Sequence, residues 1–129
     1  MIGLDTNILL RLVTADDEAQ VKTITRWLAA HARDDTLYVN HVVLVETLWT
    51  LKSSYGYARS DLTKFVDSLL GNAVFEIEEM GLVEDALRLF ISTQADFADC
   101  LIFAKNARSC EATITFDKAA SALPQAKLL

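Results

Sequence analysis

The sequence predicts an α/β protein, three-layer α/β/α, with a central, mainly parallel sheet of about five short strands. Three observations carry that reading. Short apolar runs rich in β-branched residues alternate with longer amphipathic stretches along the 129 residues. Successive strand candidates are separated by helices, a spacing that forbids hairpins and requires parallel pairing through crossovers. One Pro, four Gly and the absence of any repeat or low-complexity linker leave no domain boundary, so residues 1–129 form one domain.

The elements follow in order. "MIGLD" is a short buried strand ending at Asp5, and "TNILLRLVT" after it is helical. "DDEAQVKTITRWLAAHAR" is a second helix, with Asp16, Asp17 and Glu18 placed to suit the positive end of its dipole. "TLYV" is a strand, and a helix runs from His41 to about Ser54, broken by "YGY". Ser60-Asp61 opens a helix to Leu70, which Gly71-Asn72 stops, and "AVFEI" is a third strand. "GLVEDALRLFIST" and "DFADCLIFAKNAR" are successive helices, and "ATITF" is a fourth strand. A short helical turn and a last strand, "AKLL", close the order.

Hydrophobic residues make up 52% of the chain, an excess that predicts partner surface: a second copy, another protein, or both. No apolar run approaches the ~18 residues of a membrane span and no signal-peptide pattern opens the sequence, so a cytoplasmic protein is expected. Cys100 and Cys110, if carried on one helix, stand ~15 Å apart, too far for a disulfide. The net charge of −6 argues against a nucleic-acid binder that works by charge alone. It leaves room for a nuclease whose acids are neutralised by cations.

Five acids stand out, each with a plain structural alternative. Asp5 and Asp117 directly follow strands, and each is also a good helix cap. Glu46 is a mid-helix acid sharing its face with Val42, Val45 and Trp49, a face expected to be buried. Asp96 and Asp99 lie one turn apart at a helix start, Asp96 suited to capping and Asp99 followed on its side by Ile102 and Phe103. Two acids fall at C-terminal strand ends, where parallel sheets place their sites. A cluster of four or five carboxylates without His or Cys suits Mg²⁺ or Mn²⁺, and repulsion within it raises pKa values. Such ions activate water and stabilise charge on a phosphodiester, which points to phosphodiester hydrolysis.

Other features read as structural. His31 is a surface helix residue and His41 a helix-start residue, Trp27 and Trp49 are core or interface aromatics, and Glu84–Arg88 is a surface pair. No Gly-rich phosphate loop or nucleophile elbow is present.

"MIGLDTNILLRLVT", Glu46 in its apolar helix, "ADFADCLIFA" and "TITFD", in that order, resemble the PIN-domain ribonucleases, in particular the VapC toxins of bacterial toxin–antitoxin pairs. The resemblance spans essentially the whole chain. It implies a PIN-like fold whose acidic quartet is Asp5, Glu46, Asp99 and Asp117, serving both catalysis and metal binding. It further implies a Mg²⁺- or Mn²⁺-dependent endoribonuclease with RNA as substrate, a homodimer, and a small antitoxin protein whose tail blocks the site. Two departures appear: Cys100 follows Asp99 where Ala is usual, and Ala119-Ala120 stand where an aromatic is frequent. Asp5, Asp99 and Asp117 are then expected to hold one or two ions, with Glu46 as ligand or as orienter of the attacking water. Asp96, Thr6, Asn7 and Thr115 are secondary contributors, and Arg11, Lys52 or Arg59 would guide RNA.

Two rival readings stand beside it. A haloacid-dehalogenase-like phosphohydrolase also begins with an Asp after its first strand, but needs a second Asp where Asn7 stands. A non-catalytic PIN-fold interaction module would have little reason to keep four acids.

Overall fold

Strand β2 (Leu37–Val39) is the axis of the computed structural model, which describes residues 1–129. It pairs in parallel with β1 (Ile2–Gly3) on one side and β3 (Phe75–Ile77) on the other, Leu37 facing Ile2 and Phe75. β4 (Thr113–Thr115) and β5 (Ala126–Leu128) pair in parallel with each other, Thr113 facing Ala126. The central sheet is therefore narrower than expected, three strands plus a separate two-stranded ribbon. β1 is only two residues long because Asp5 already starts a helix, and so short an edge carries few ladder hydrogen bonds.

Six helices complete the α/β/α layers: α1 (Thr6–Thr14), α2 (Glu18–His31), α3 (His41–Tyr55), α4 (Arg59–Leu70), α5 (Met80–Ser92) and α6 (Phe97–Asn106). A short 3-10 turn over Ala119–Ala122 joins β4 to β5. Local chemistry sets the helix ends. Asp5, Asp17 and Asn40 accept from the backbone N–H groups of Ile8, Gln20 and Val43 at 3.0, 3.0 and 2.8 Å. Gly56 ends α3 at a φ of 70°, a left-handed turn that a side chain would strain, and lets Tyr57 N–H reach the Leu51 carbonyl at 3.0 Å.

One continuous core of 27 residues lies between the layers. Val39 of β2 is fully covered, α3 contributes Leu44, Leu48 and Leu51, and α5 contributes Leu82, Val83 and Ala86. Each large aliphatic side chain buried this way stabilises the fold by roughly 1.5–3 kcal/mol. Cys100 is buried and Cys110 exposed, and neither is bonded to the other. Burial pushes the Cys100 thiol up to about 11, so it packs as a small apolar group.

Two sequence expectations are corrected and a third is narrowed. The α3 face bearing Val42, Glu46 and Trp49 points outward, since the core takes the stripe of Val43, Leu44, Thr47, Leu48 and Leu51. Of the core and interface alternatives for Trp27, on α2, and Trp49, on α3, exposures of 47% and 69% leave the interface one. Arg88 pairs with Asp85 one turn back rather than with Glu84. No helix is long and apolar enough to cross a membrane.

Candidate active site

Asp5 and Asp117 stand just past the C-terminal ends of β1 and β4, strands of separate sheets, and Asp99 meets Asp117 from α6. Asp5 follows β1 by two residues, and its Oδ1 caps α1 through Ile8 N–H. Asp117 follows β4 by two residues; its Oδ1 accepts from Ala119 N–H at 2.9 Å while its own N–H donates to Thr115 Oγ1 at 3.0 Å. Thr115 thus fixes the backbone at Asp117; the capping alternative is realised for Asp5, whereas Asp117 closes a local turn ahead of the 3-10 segment, whose N-cap is Lys118. Asp99 lies in the first turn of α6, half-buried.

The electrostatics single out Asp99. Burial raises its carboxyl above the usual range, and the neighbouring carboxylates of Asp117 and Asp96 push it further in the same direction. Asp99 and Asp117 therefore face each other as like charges. Asp96, at the N-cap of α6, makes no cap bond; it is exposed and pairs with Lys52 Nζ at 3.3 Å.

Glu46, on α3, is tied to the end of β1, where Thr6 Oγ1, next to Asp5, donates to its Oε1 at 3.3 Å. Its carboxylate is exposed, not buried as the apolar helix pattern suggested. Asn7 is exposed and joins none of these bonds. The four acids form two linked pairs, Asp5–Thr6 with Glu46 and Asp99 with Asp117, and no three of the four come within 4.8 Å of one another. The donor set consists of carboxylate oxygens with hydroxyl neighbours and no nitrogen or sulfur, which fits a hard cation such as Mg²⁺ or Mn²⁺.

The basic residues expected to guide RNA are engaged elsewhere. Arg59 stacks over the Phe90 ring at 3.8 Å and donates to the carbonyls of Phe90, Thr93 and Ala95, closing the C-terminal end of α5. Arg11 is held by Gln20, Asp16 and Tyr55, and Lys52 by Asp96. Of the three, Lys52 alone pairs with one of the candidate acids, Asp96.

Sequence reasoning missed a further cluster on the same edge. His41, Glu78 and Glu79 bring three potential ligand atoms within 4.8 Å of one another. Glu78 follows β3 as Asp117 follows β4, so its strand-end position was the available signal. His41 as a helix-start residue is correct, but its side chain is buried.

The PIN domain family model matches residues 2–125 of the chain. Among characterised relatives, the chain is 28% identical to a protein named VapC ribonuclease from Aquifex aeolicus (strain VF5), over 99 residues that cover 76% of this chain and 73% of the relative. No solved structure matches.

Proposed function

This chain belongs to the PIN domain family, and from that premise we propose that it is a divalent-metal-dependent endoribonuclease, the VapC-type toxin of a toxin–antitoxin pair. The observation that supports the reading is the meeting of Asp99 and Asp117 as like charges, with Glu46 tied through Thr6 to the strand end that carries Asp5. A folding domain gains nothing from holding like-charged carboxylates together. A phosphodiesterase does.

Asp5, Asp99 and Asp117 would hold one or two Mg²⁺ or Mn²⁺ ions. Bound there, such an ion supplies a water nucleophile at neutral pH and offsets the charge that builds on the phosphate oxygens. Thr115 would fix the backbone turn that presents Asp117, and Thr6 would hold the carboxylate of Glu46, which serves as a ligand or orients the attacking water. Lys52, released from Asp96, is the cation nearest to hand for an approaching RNA backbone.

The partners follow from the surface. Trp49 and Val42, 69% and 66% exposed, flank Glu46 on α3. Beside them Trp49, Tyr57, Phe97 and Leu48 line a largely apolar cleft of about 320 Å³. Apolar surface of this kind supports a homodimer and a small antitoxin that covers the site, in a cytoplasmic protein.

Purified protein is expected to cut RNA with Mg²⁺ or Mn²⁺ and to stop in EDTA, and Asp5→Asn is expected to abolish cleavage while the circular dichroism spectrum stays unchanged. Cleavage by Asp5→Asn in EDTA at the wild-type rate would overturn the reading.

A further inference from the structure

We propose that His41, Glu78 and Glu79 form a second metal site, for one borderline divalent ion such as Zn²⁺, separate from the four-acid cluster. The inference does not depend on the nuclease reading. His41 opens α3, and its side chain is 10% exposed. Its Nε2 lies 2.8 Å from the Glu78 carbonyl oxygen, which can only accept, so Nε2 carries the proton. In the neutral ring Nδ1 is therefore a lone pair. It has no hydrogen-bond partner and faces Glu78 Oε1 at 3.8 Å.

A proton on Nδ1 would answer this carboxylate alone as an ion pair, whereas a bound cation would answer it together with Glu79. A ring nitrogen donating to a backbone carbonyl is also the arrangement that fixes a histidine as a metal ligand through its other nitrogen. Glu79 brings a second carboxylate to the same point. Arg108 touches one of its oxygens at 3.4 Å and leaves the other without a partner. Two carboxylates balance a dication, and the single imidazole favours a borderline metal over Mg²⁺. Ligand atoms around tetrahedral Zn²⁺ sit about 3.3 Å apart, so the present span closes by a rotation of the exposed Glu79 side chain.

The plain structural alternative is a clamp. Glu78 Oε1 accepts from His41 N–H at 2.8 Å and ties the start of α3 to the end of β3. That accounts for one carboxylate oxygen and for Nε2. A protonated ring adds an ion pair to this clamp, but neither accounts for the second carboxylate, Glu79, at the same point. Negative potential at this strand end is felt by Tyr38, whose hydroxyl is pushed up by burial first and then by Glu78, Glu76 and Glu79.

The test uses the untagged full chain, since an affinity tag of histidines would mask the site. Equilibrium dialysis with Zn²⁺ should give one ion per chain, retained in the double variant Asp5→Asn/Asp99→Asn and not displaced by excess Mg²⁺. Glu79→Gln, which alters an exposed side chain and leaves the fold intact, should weaken Zn²⁺ binding at least tenfold. In nitrogen-15 spectra Zn²⁺ should shift His41 Nδ1 and leave the exposed His31 ring unmoved. Zn²⁺ binding that survives Glu79→Gln unchanged, or that disappears in the double variant, overturns the proposal. So does an unshifted His41 Nδ1 at saturating Zn²⁺.

Discussion

Asp16 and Asp99 are the same side chain in opposite circumstances. Asp16 accepts from Tyr55 Oη and Thr14 Oγ1 at 2.8 Å each and from Arg11 Nη1 at 3.2 Å. Those partners, the Tyr55 bond first, hold its carboxyl below the usual range. Asp99 has burial and two other carboxylates for company and is held above that range. One region spends its charge on joining α1, α3 and the loop before α2. The other keeps charge that nothing in the chain neutralises. An acid that the fold satisfies is part of the fold, while an acid that the fold leaves opposed by its neighbours needs a reason from outside it.

The largest difference between the two should appear in activity. Asp99→Asn is expected to lower RNA cleavage by two to three orders of magnitude, the scale on which removing one charge-stabilising group acts, whereas Asp16→Ala leaves it within about twofold. A cleavage assay on both variants checks this, and equal losses would erase the distinction. Next in size is the response to metal. At a hundredfold excess over its Kd, Mg²⁺ or Mn²⁺ should stabilise the wild type by about 2.7 kcal/mol, roughly 10 °C in Tm for a domain of this length. Asp16→Ala should keep that shift and Asp99→Asn should lose most of it in scanning fluorimetry.

Much of this was legible in the sequence because the rules involved are local. Asn40 and Gly56 mark the ends of α3 within one residue, and Asp5 and Asp117 are recognisable as acids that terminate strands. What escaped depends on contacts across the chain. The apolar pattern of α3 shows that one of its faces is buried, but the stripe through Leu44 and Leu48 competes with the one through Val42 and Trp49. Packing alone selects between them. Arg59 reads as a solvent cation until α5 ends beside it. His41 and Glu78 are 37 positions apart and meet only because β2 and β3 pair in register. The narrow sheet is likewise a matter of strand length, which apolar runs overstate.

A third, subtler contrast lies in pH. Asp16, with its pKa lowered, contributes stability above the ordinary carboxylate value near 3.9 that is lost as pH falls through its folded value. Asp99, with its pKa raised, destabilises the metal-free protein at neutral pH, and that is relieved as pH falls through its raised folded value. Metal-free Asp99→Asn should therefore melt above the wild type at pH 7, and the gap should close before the acid limb. Asp16→Ala should melt below the wild type at pH 7, and its gap should close only at lower pH. Parallel melting curves for the two variants would show that the acids do not differ.

The smallest expected effect belongs to Glu46, and it refines the boundary between the two regions. Its carboxylate is exposed and accepts one long bond from Thr6. Water solvates it, so removing its charge should change little in the folded, metal-free protein. Glu46→Gln retains an oxygen acceptor for Thr6 and should shift stability by no more than about 0.5 kcal/mol, the range of ordinary surface substitutions. The same change should still lower cleavage and reduce the Mg²⁺ or Mn²⁺ shift in Tm, because a neutral amide is a weaker ligand and a weaker acceptor for the attacking water. Stability, metal response and cleavage are thus expected to separate at this one position. A rise in metal-free Tm as large as that of Asp99→Asn would mean that Glu46 already shares the buried repulsion of Asp99 and Asp117. Unchanged cleavage together with an unchanged metal shift would place Glu46 outside the site, with Asp16, among acids that serve only the fold.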